Sequence, residues 1–211
     1  MLFTLLNWLY ILITCFICGF FVLTRIASHT GEGGKKVRAG GSVMCGIAVL
    51  TAYSEYFSLF TGVGVTANLL LVIACLIFVF TDGKKYREYA GAYVRQLKND
   101  SRVRWVKISV IAVSLLIILV CAFFTASSNF TYDTGTYHAQ SIHWIETYGV
   151  VRGLAHMQTR LGFNNSYFAL CALYSFHFLG QSMHALSGFL AAFVMVYAFL
   201  GYARHFCGNE G

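Results

Sequence analysis

The chain has 211 residues, of which 58% are hydrophobic and 11% are charged, and its mean hydropathy is +0.66. A soluble domain carries about a quarter charged residues, so this composition predicts an integral membrane protein in a lipid bilayer. The formal net charge of +7 therefore does not indicate a soluble nucleic-acid-binding protein, and no nucleic acid partner is expected.

Apolar runs predict about six membrane spans, because roughly 20 apolar residues are needed to cross the hydrocarbon core. The predicted spans lie near residues 2–23, 43–62, 65–81, 106–125, 166–180 and 184–203, and the fifth is shorter than the others. The chain has no proline, which favours continuous helices. We therefore expect an all-α, polytopic transmembrane helix bundle. It would form a single membrane domain over residues 1–211, with short extracytoplasmic juxtamembrane helices.

The cysteines do not predict a disulfide framework. Six of the seven lie inside apolar runs, where a thiol packs as a small hydrophobic group: Cys15, Cys18, Cys45, Cys75, Cys121 and Cys171. Cys15 and Cys18 have the C-x-x-C spacing, but a zinc site needs four clustered donors and no histidine or second pair lies nearby.

The positions of the basic residues predict the orientation of the chain. Most of the 15 lysines and arginines lie in residues 25–38 and 82–107, and short loops rich in them stay in the cytoplasm. The N-terminus and the loop 126–164 are then outside, and 82–105 is a cytoplasmic segment. Arg204 conflicts with this assignment if all six spans cross, but not if residues 166–180 are re-entrant.

A cytoplasmic surface helix is predicted from Lys84 to Asn99. Tyr86, Tyr89 and Tyr93 recur there at helical spacing among basic residues, as in a helix that lies on a membrane.

The outer loop begins with a predicted interfacial helix. Its only two carboxylates are Asp133 and Glu146. Apolar and polar residues separate onto two faces from Thr136 to Tyr148, which predicts a short helix with Asp133 or Thr134 as its N-cap and Gly149 at its end. The spacing alone favours this capping role for Asp133 over a catalytic one.

A second short helix is predicted from Arg152 to Arg160, because Arg152, His156 and Arg160 recur every four residues. Such a basic stripe has two interpretations. The arginines could anchor the helix at lipid headgroups, or they could bind an anion, since a guanidinium donates two parallel hydrogen bonds to a phosphate.

Histidines of the outer loop suggest a metal centre, but their spacing argues against it. His138 and His143 fall on different sides of a helix, and only His143 and Glu146 share a face. No metal or other cofactor is predicted, and a divalent ion is the less favoured alternative.

Glu55 is the only carboxylate deep inside a predicted span, and an intramembrane ionisable residue is a functional candidate. Tyr53 and Tyr56 flank it. The favoured interpretation is a protonated, hydrogen-bonded carboxyl group within the bundle.

Residues 130–170 resemble a group of bacterial multi-pass membrane proteins that look like integral-membrane glycosyltransferases of the GT-C type. The resemblance is carried by Tyr132-Asp133, Tyr137-His138-Ala-Gln, Trp144-Ile-Glu-Thr-Tyr-Gly149, Gly153-Leu154 and Arg160-Leu-Gly-Phe-Asn-Asn-Ser-Tyr-Phe168. Those enzymes use polyprenyl-phosphate-linked sugars, and an Asp in their first large outer loop is the usual catalytic residue. The resemblance implies transfer of a sugar from a lipid-linked donor to an acceptor outside a bacterial plasma membrane.

The resemblance assigns a role to Asp133, and the other candidates follow from their residue types and positions. Asp133 matches the catalytic position and would act as the general base. The other candidates are the donor-binding residues Arg152, His156, Arg160, Tyr137, His138 and Trp144, followed by Glu55, His143 and Glu146. The resembling enzymes are longer, so the chain could also be a fragment, a truncated form or an inactive relative.

The alternative is a non-enzymatic multi-pass membrane protein, either an assembly partner or a transport subunit. In it the outer helices would only cap the bundle. A transporter is expected to place several ionisable groups at mid-membrane, whereas Glu55 stands alone, so transport is the weaker form of this alternative.

Overall fold

The computed structural model describes residues 1–29, 37–98, 104–127, 132–162 and 165–207. All regular elements in these ranges are helical, which agrees with the predicted all-α class. The α-helices are α1 (Leu2–His29), α2 (Ala39–Ser58), α3 (Val65–Thr81), α4 (Gly83–Lys98), α5 (Arg104–Ala126), α6 (Ala139–Tyr148), α7 (Leu154–Met157), α8 (Ser166–Tyr174) and α9 (Leu186–Cys207). A π-helical turn covers Thr134–His138, and 3-10 turns cover Thr159–Gly162 and His177–Leu179.

Among the described helices, α1, α5 and α9 are long and apolar enough to cross a membrane. A fourth crossing is counted when α3 and α4, which are bent by 80° relative to each other, are taken as one span. α2 has 20 residues but contains Glu55 and many small and hydroxyl residues. The structure thus supports a multi-pass membrane protein with three or four candidate spans and does not confirm six.

Residues 166–180 do not form a helix long enough to span, so the structure does not confirm this predicted span. α8 has nine residues, and a helix of that length measures about 14 Å, less than half of the roughly 30 Å hydrocarbon core. The chain then turns at Phe176, which has a φ of 51°. The Met183 amide donates to the Ser175 carbonyl at 2.7 Å, which brings the chain back toward the start of α9.

Two asparagines explain how α8 can end inside the bundle. A helix end leaves its last carbonyls without partners, and each buried one costs about 1–3 kcal/mol. Asn7 of α1 donates to the Tyr174 carbonyl at 2.7 Å, and Asn68 of α3 donates to the Leu173 carbonyl at 3.0 Å. Both carbonyls are therefore satisfied by side chains.

Glycines bring α1 and α2 into backbone contact. A methyl group added at Gly19 would collide with the Ser42 carbonyl, and one added at Gly46 would collide with the Cys15 carbonyl. Small residues allow this kind of close approach between membrane helices.

Helix ends rich in basic residues meet at one end of the bundle, here called the basic face: residues 25–29, 37–41, 82–98 and 201–205. Asp82 joins two of these segments, because it lies 3.0 Å from Arg25 and 3.1 Å from Lys85. The Gly40 backbone meets the Tyr197 ring, so the C-terminal end of α9, with Arg204, lies on the same face. The two predicted cytoplasmic segments therefore lie together.

The opposite end, here called the outer-loop face, comprises residues 1–8, 58–64, 132–162 and 180–187. The Val63 amide donates to the Ile145 carbonyl at 2.9 Å and the Val150 amide donates to the Ser58 carbonyl at 2.8 Å. Trp8 donates to the Ala185 carbonyl at 2.9 Å. α9 consequently runs from the outer-loop face to the basic face.

The predicted surface helix is present as α4, but two of its three tyrosines lie against protein. Tyr86 donates to the Ile17 carbonyl at 2.9 Å, and the Tyr89 ring centroid lies 5.2 Å from that of Phe20. Burial raises the pKa of Tyr86 above its usual value. Among the three tyrosines, only Tyr93 is exposed.

Candidate functional site

The outer loop is anchored to the bundle through the end of α6. Gly149, with a φ of 76°, closes this helix as predicted and has no room for a side chain. A Cβ there would approach the Ser58 and Thr61 carbonyl oxygens. The contact fixes α6 on the connection between α2 and α3.

Asp133 does not cap a helix, so the predicted capping role is wrong. It lies before the π-helical turn Thr134–His138 with a φ of −67° and a ψ of −35°, and its side chain makes no capping hydrogen bond. An N-cap residue normally has an extended backbone, whereas Asp133 is helical. Its side chain is 57% exposed and is accessible from the outer-loop face.

Arg160 lies beside Asp133, and the two form the Asp133 cluster together with Tyr137. Arg160 Nη1 is 3.8 Å from Asp133 Oδ1, which is too long for a hydrogen bond. The guanidinium carbon lies 5.6 Å from the centre of the Tyr137 ring, a cation–π distance. Nη1 is buried and has no hydrogen-bond partner among the described residues. The cluster therefore combines an exposed carboxylate with a cation that still has a donor to offer.

Aromatic contacts connect the Asp133 cluster to α8. The His138 ring lies 4.3 Å from Tyr137 and 5.2 Å from Phe168. Asn165 caps the start of α8 by accepting a hydrogen bond from the Tyr167 amide at 3.0 Å. The Asp133 cluster thus packs against the start of α8.

The predicted helix from Arg152 to Arg160 is wrong. α7 covers only Leu154–Met157, because Gly153 is left-handed and Gln158 is extended, and Arg160 belongs to the following 3-10 turn. Arg152 and His156 are exposed and have no ion pair with a described residue. The basic stripe therefore does not form one face, and only Arg160 lies at Asp133.

Glu146 and His143 form a separate pair. The Glu146 side chain is fully buried, and its Oε2 accepts a hydrogen bond from Ser182 Oγ at 2.8 Å. The exposed His143 Nδ1 is 3.6 Å from the same oxygen, while Oε1 is buried without a hydrogen-bond partner. Trp144 packs on Tyr148, with ring centroids 5.2 Å apart.

Glu55 is half-buried in α2, and the hydrogen bonds expected from its neighbours are not formed. Tyr53 donates instead to the Ala67 carbonyl at 2.8 Å, and Tyr56 is exposed with its ring against Phe60.

Sequence reasoning missed Ser182, Phe168 and Asn165. Asn165 precedes Ser166 and an apolar run, which is an N-cap pattern and could have been recognised. Ser182 has no local signal, since its role depends on contact with Glu146. In the described part of the chain, no three His, Cys, Asp or Glu side chains are grouped so that they could hold a metal ion.

A family model described as "Domain of unknown function (DUF8201)" matches residues 1–210. The chain belongs to this family. No curated protein and no solved structure matches it. The DUF8201 match includes the bundle and the outer loop alike, so the Asp133 cluster lies within the family's domain.

Proposed function

We propose that this DUF8201 chain is an integral-membrane glycosyltransferase. It transfers a sugar from a lipid-phosphate-linked donor to an acceptor hydroxyl. The observation that carries the proposal is the Asp133 cluster, in which an exposed carboxylate lies 3.8 Å from an arginine on the face opposite the basic segments.

The orientation follows from the positive-inside rule. The basic face is cytoplasmic in a bacterial plasma membrane, and the N-terminus and the outer-loop face are extracytoplasmic. α1, α2, α3, α5 and α9 cross, and α8 is re-entrant. Arg204 then lies in the cytoplasm with the other basic residues, which supports five crossings rather than six.

Asp133 is the general base of the reaction. The acceptor oxygen attacks the anomeric carbon of the sugar and gives its proton to the Asp133 carboxylate. The bond between that carbon and the phosphate oxygen breaks, and its electron pair stays on the phosphate. The exposure of Asp133 allows a hydroxyl to come within the roughly 2.6–3.2 Å that proton transfer needs.

Arg160 stabilises the negative charge that develops on the leaving phosphate. Its Nη1 is buried without a hydrogen-bond partner among the described residues, and a positioned donor aimed at developing charge lowers the barrier. The Tyr137 ring holds the guanidinium in place. Arg152 and His156, being exposed and separate, are not assigned to the phosphate.

Aromatic side chains provide the surface for the rest of the donor. Tyr137 and His138 lie at the cluster and can contact the sugar or the first isoprene units. Trp144 packs on Tyr148 and has no contact with the cluster in the described residues, so it is a weaker candidate.

The direct test uses the purified protein in liposomes with a panel of polyprenyl-phosphate-linked hexoses and pentoses as probe donors. The measurement is the release of polyprenyl phosphate in the presence of acceptor sugars or lipids. We expect wild-type protein to release it from at least one donor, and Asp133→Asn to lower the rate about 100-fold or more. The thermal unfolding midpoint of the variant serves as the folding control.

The proposal is contradicted if no donor yields polyprenyl phosphate, or if wild type and Asp133→Asn release it at the same rate. The alternative would then be a non-enzymatic assembly partner or transport subunit. A reporter that is active only outside the cytoplasm tests the orientation separately. It should be silent when fused at Lys98 and active when fused at Thr147, and the reverse pattern excludes Asp133 from the extracytoplasmic side.

A further inference from the structure

A cavity of about 1230 Å³ opens on the basic face between α1, α2, α4 and α9. Polar side chains line its opening, including Arg38, Gln96 and Arg204. Its inner wall is apolar and includes Leu12, Phe16, Val43, Phe193, Val196 and Leu200. The cavity is thus polar at one end and hydrophobic at the other.

A second cavity, of about 380 Å³, continues the apolar wall toward the outer-loop face. It shares Leu12, Phe193 and Val196 with the first cavity and reaches Trp8 and Phe189. The helix from Phe189 to Arg204 is about 22 Å long, while one leaflet of hydrocarbon is only about 15 Å thick. The two cavities adjoin at these three shared residues and are together called the α1/α9 groove, whose length is comparable with that of an acyl chain.

Among the residues that the structure describes, no carboxylate compensates the charge at the opening of the groove. Neither Arg38 nor Arg204 pairs with a carboxylate among the described residues, and no Asp or Glu lines the groove. By contrast, Arg25 and Lys85 on the same face both pair with Asp82. The groove therefore favours an anion, and the planar guanidinium matches a phosphate better than other cations do.

We propose that the α1/α9 groove binds one anionic phospholipid. Its phosphate lies between Arg38 and Arg204, and one acyl chain lies along Leu12, Phe193 and Val196. Free phosphate would use only the opening and leave the apolar wall without a ligand, whereas a phospholipid complements both ends. Basic pockets between membrane helices bind acidic headgroups in this way. The site is separate from the Asp133 cluster and does not depend on glycosyl transfer.

The test measures which lipids stay on the purified protein. The protein is placed in nanodiscs of equal parts phosphatidylcholine and phosphatidylglycerol, released into mild detergent and analysed by native mass spectrometry. We expect one retained phosphatidylglycerol on wild type. Arg38→Gln combined with Arg204→Gln should lower its retention about 30-fold, or about fivefold for each arginine. The matched control combines Arg87→Gln with Arg95→Gln, which removes the same charge from exposed positions of α4 outside the groove and should retain the lipid.

Val196→Trp tests the apolar half of the site, because an indole there fills the groove while both arginines remain. It should also lose the lipid, with a monodisperse gel-filtration profile and an unchanged thermal midpoint to show that it folds. Equal loss in the α4 control, or equal retention of phosphatidylcholine by wild type, overturns the proposal in favour of surface charge or bulk lipid. The proposal is also overturned if inorganic phosphate displaces phosphatidylglycerol from wild type and Val196→Trp retains this lipid fully. That result would assign the opening of the groove to free phosphate.

Discussion

The two carboxylates of the outer loop differ sharply in their surroundings. Asp133 is 57% exposed and lies 3.8 Å from Arg160, outside hydrogen-bonding distance. The Glu146 side chain is 0% exposed, and it accepts a 2.8 Å hydrogen bond from Ser182. One carboxylate is open to a substrate, and the other is enclosed by protein.

Under the proposed function, this difference separates a reactive carboxylate, Asp133, from a structural one, Glu146. Glu146 links α6 to the turn that precedes α9, because Ser182 belongs to that turn. Asp133 contributes little to holding the fold together, because its ion pair is long and exposed. Such pairs contribute about 0–1 kcal/mol to the free energy of unfolding. Loss of Asp133 should therefore affect chemistry, whereas loss of Glu146 should affect the fold.

The largest expected effect is on the rate of sugar transfer, when each carboxylate is changed to its amide. Asp133→Asn should lower the transfer rate about 100-fold or more, because the amide cannot accept the proton. Glu146→Gln should lower it less than about threefold, since the amide oxygen can still accept from Ser182. Both rates come from the release of polyprenyl phosphate in liposomes. Similar losses in the two variants would contradict the different roles of Asp133 and Glu146.

The second effect is on stability, and here the larger loss is expected at Glu146 and the smaller one at Asp133. Glu146→Ala removes the acceptor of Ser182 and leaves a buried gap, which should lower the free energy of unfolding by about 2 kcal/mol. Asp133→Ala should change it by less than about 0.5 kcal/mol, as for other exposed positions. Chemical denaturation in detergent, followed by helical circular dichroism, measures both. A more stable Glu146→Ala protein would contradict the structural role of this residue.

A smaller effect on the transfer reaction is expected when Arg160, the cation of the Asp133 cluster, is replaced. Arg160→Lys keeps the charge but loses the planar fork and its packing on Tyr137, so kcat/KM should fall about tenfold, which corresponds to about 1.4 kcal/mol. Arg152→Lys is the matched control, because Arg152 is an exposed arginine of the same loop. It should change kcat/KM less than about twofold. If the two substitutions have the same effect, Arg160 is not the phosphate ligand.

Features that depend on long apolar runs or on charge clustering could be predicted from the sequence. The helices α1, α3, α5 and α9 lie where their apolar runs predict them, and the basic segments around Arg25 and Lys85 meet at Asp82. These properties are set by local composition and by the side of the membrane on which a loop lies. They do not require knowledge of which residues touch.

Features that depend on distant partners could not be predicted. α8 ends after nine residues because Asn7 and Asn68 satisfy its last carbonyls, and these asparagines are separated from Tyr174 and Leu173 by 167 and 105 positions. Glu146 is buried by Ser182, 36 positions away. The approach of Arg160 to Asp133 depends on the break at Gln158, which the regular spacing of the basic residues conceals.

The smallest expected effect is on stability, when Asp133 is compared with Asn165, a residue that does cap a helix. Asn165 has an extended backbone, with a φ of −123° and a ψ of 109°, and accepts from the Tyr167 amide. Because Asn165 is exposed, its replacement removes the cap without opening a cavity. Asn165→Ala should therefore lower the free energy of unfolding by about 1 kcal/mol.

Asn165→Asp keeps the acceptor oxygen and should remain within about 0.3 kcal/mol of wild type. Denaturation curves for Asn165→Ala, Asn165→Asp and Asp133→Ala, collected in the same detergent, give the comparison directly. A loss of about 1 kcal/mol in Asp133→Ala, equal to that of Asn165→Ala, would mean that Asp133 does cap the chain at the π-helical turn. The catalytic assignment would then lose the argument that this carboxylate has no structural role, and it would depend on the transfer assay alone.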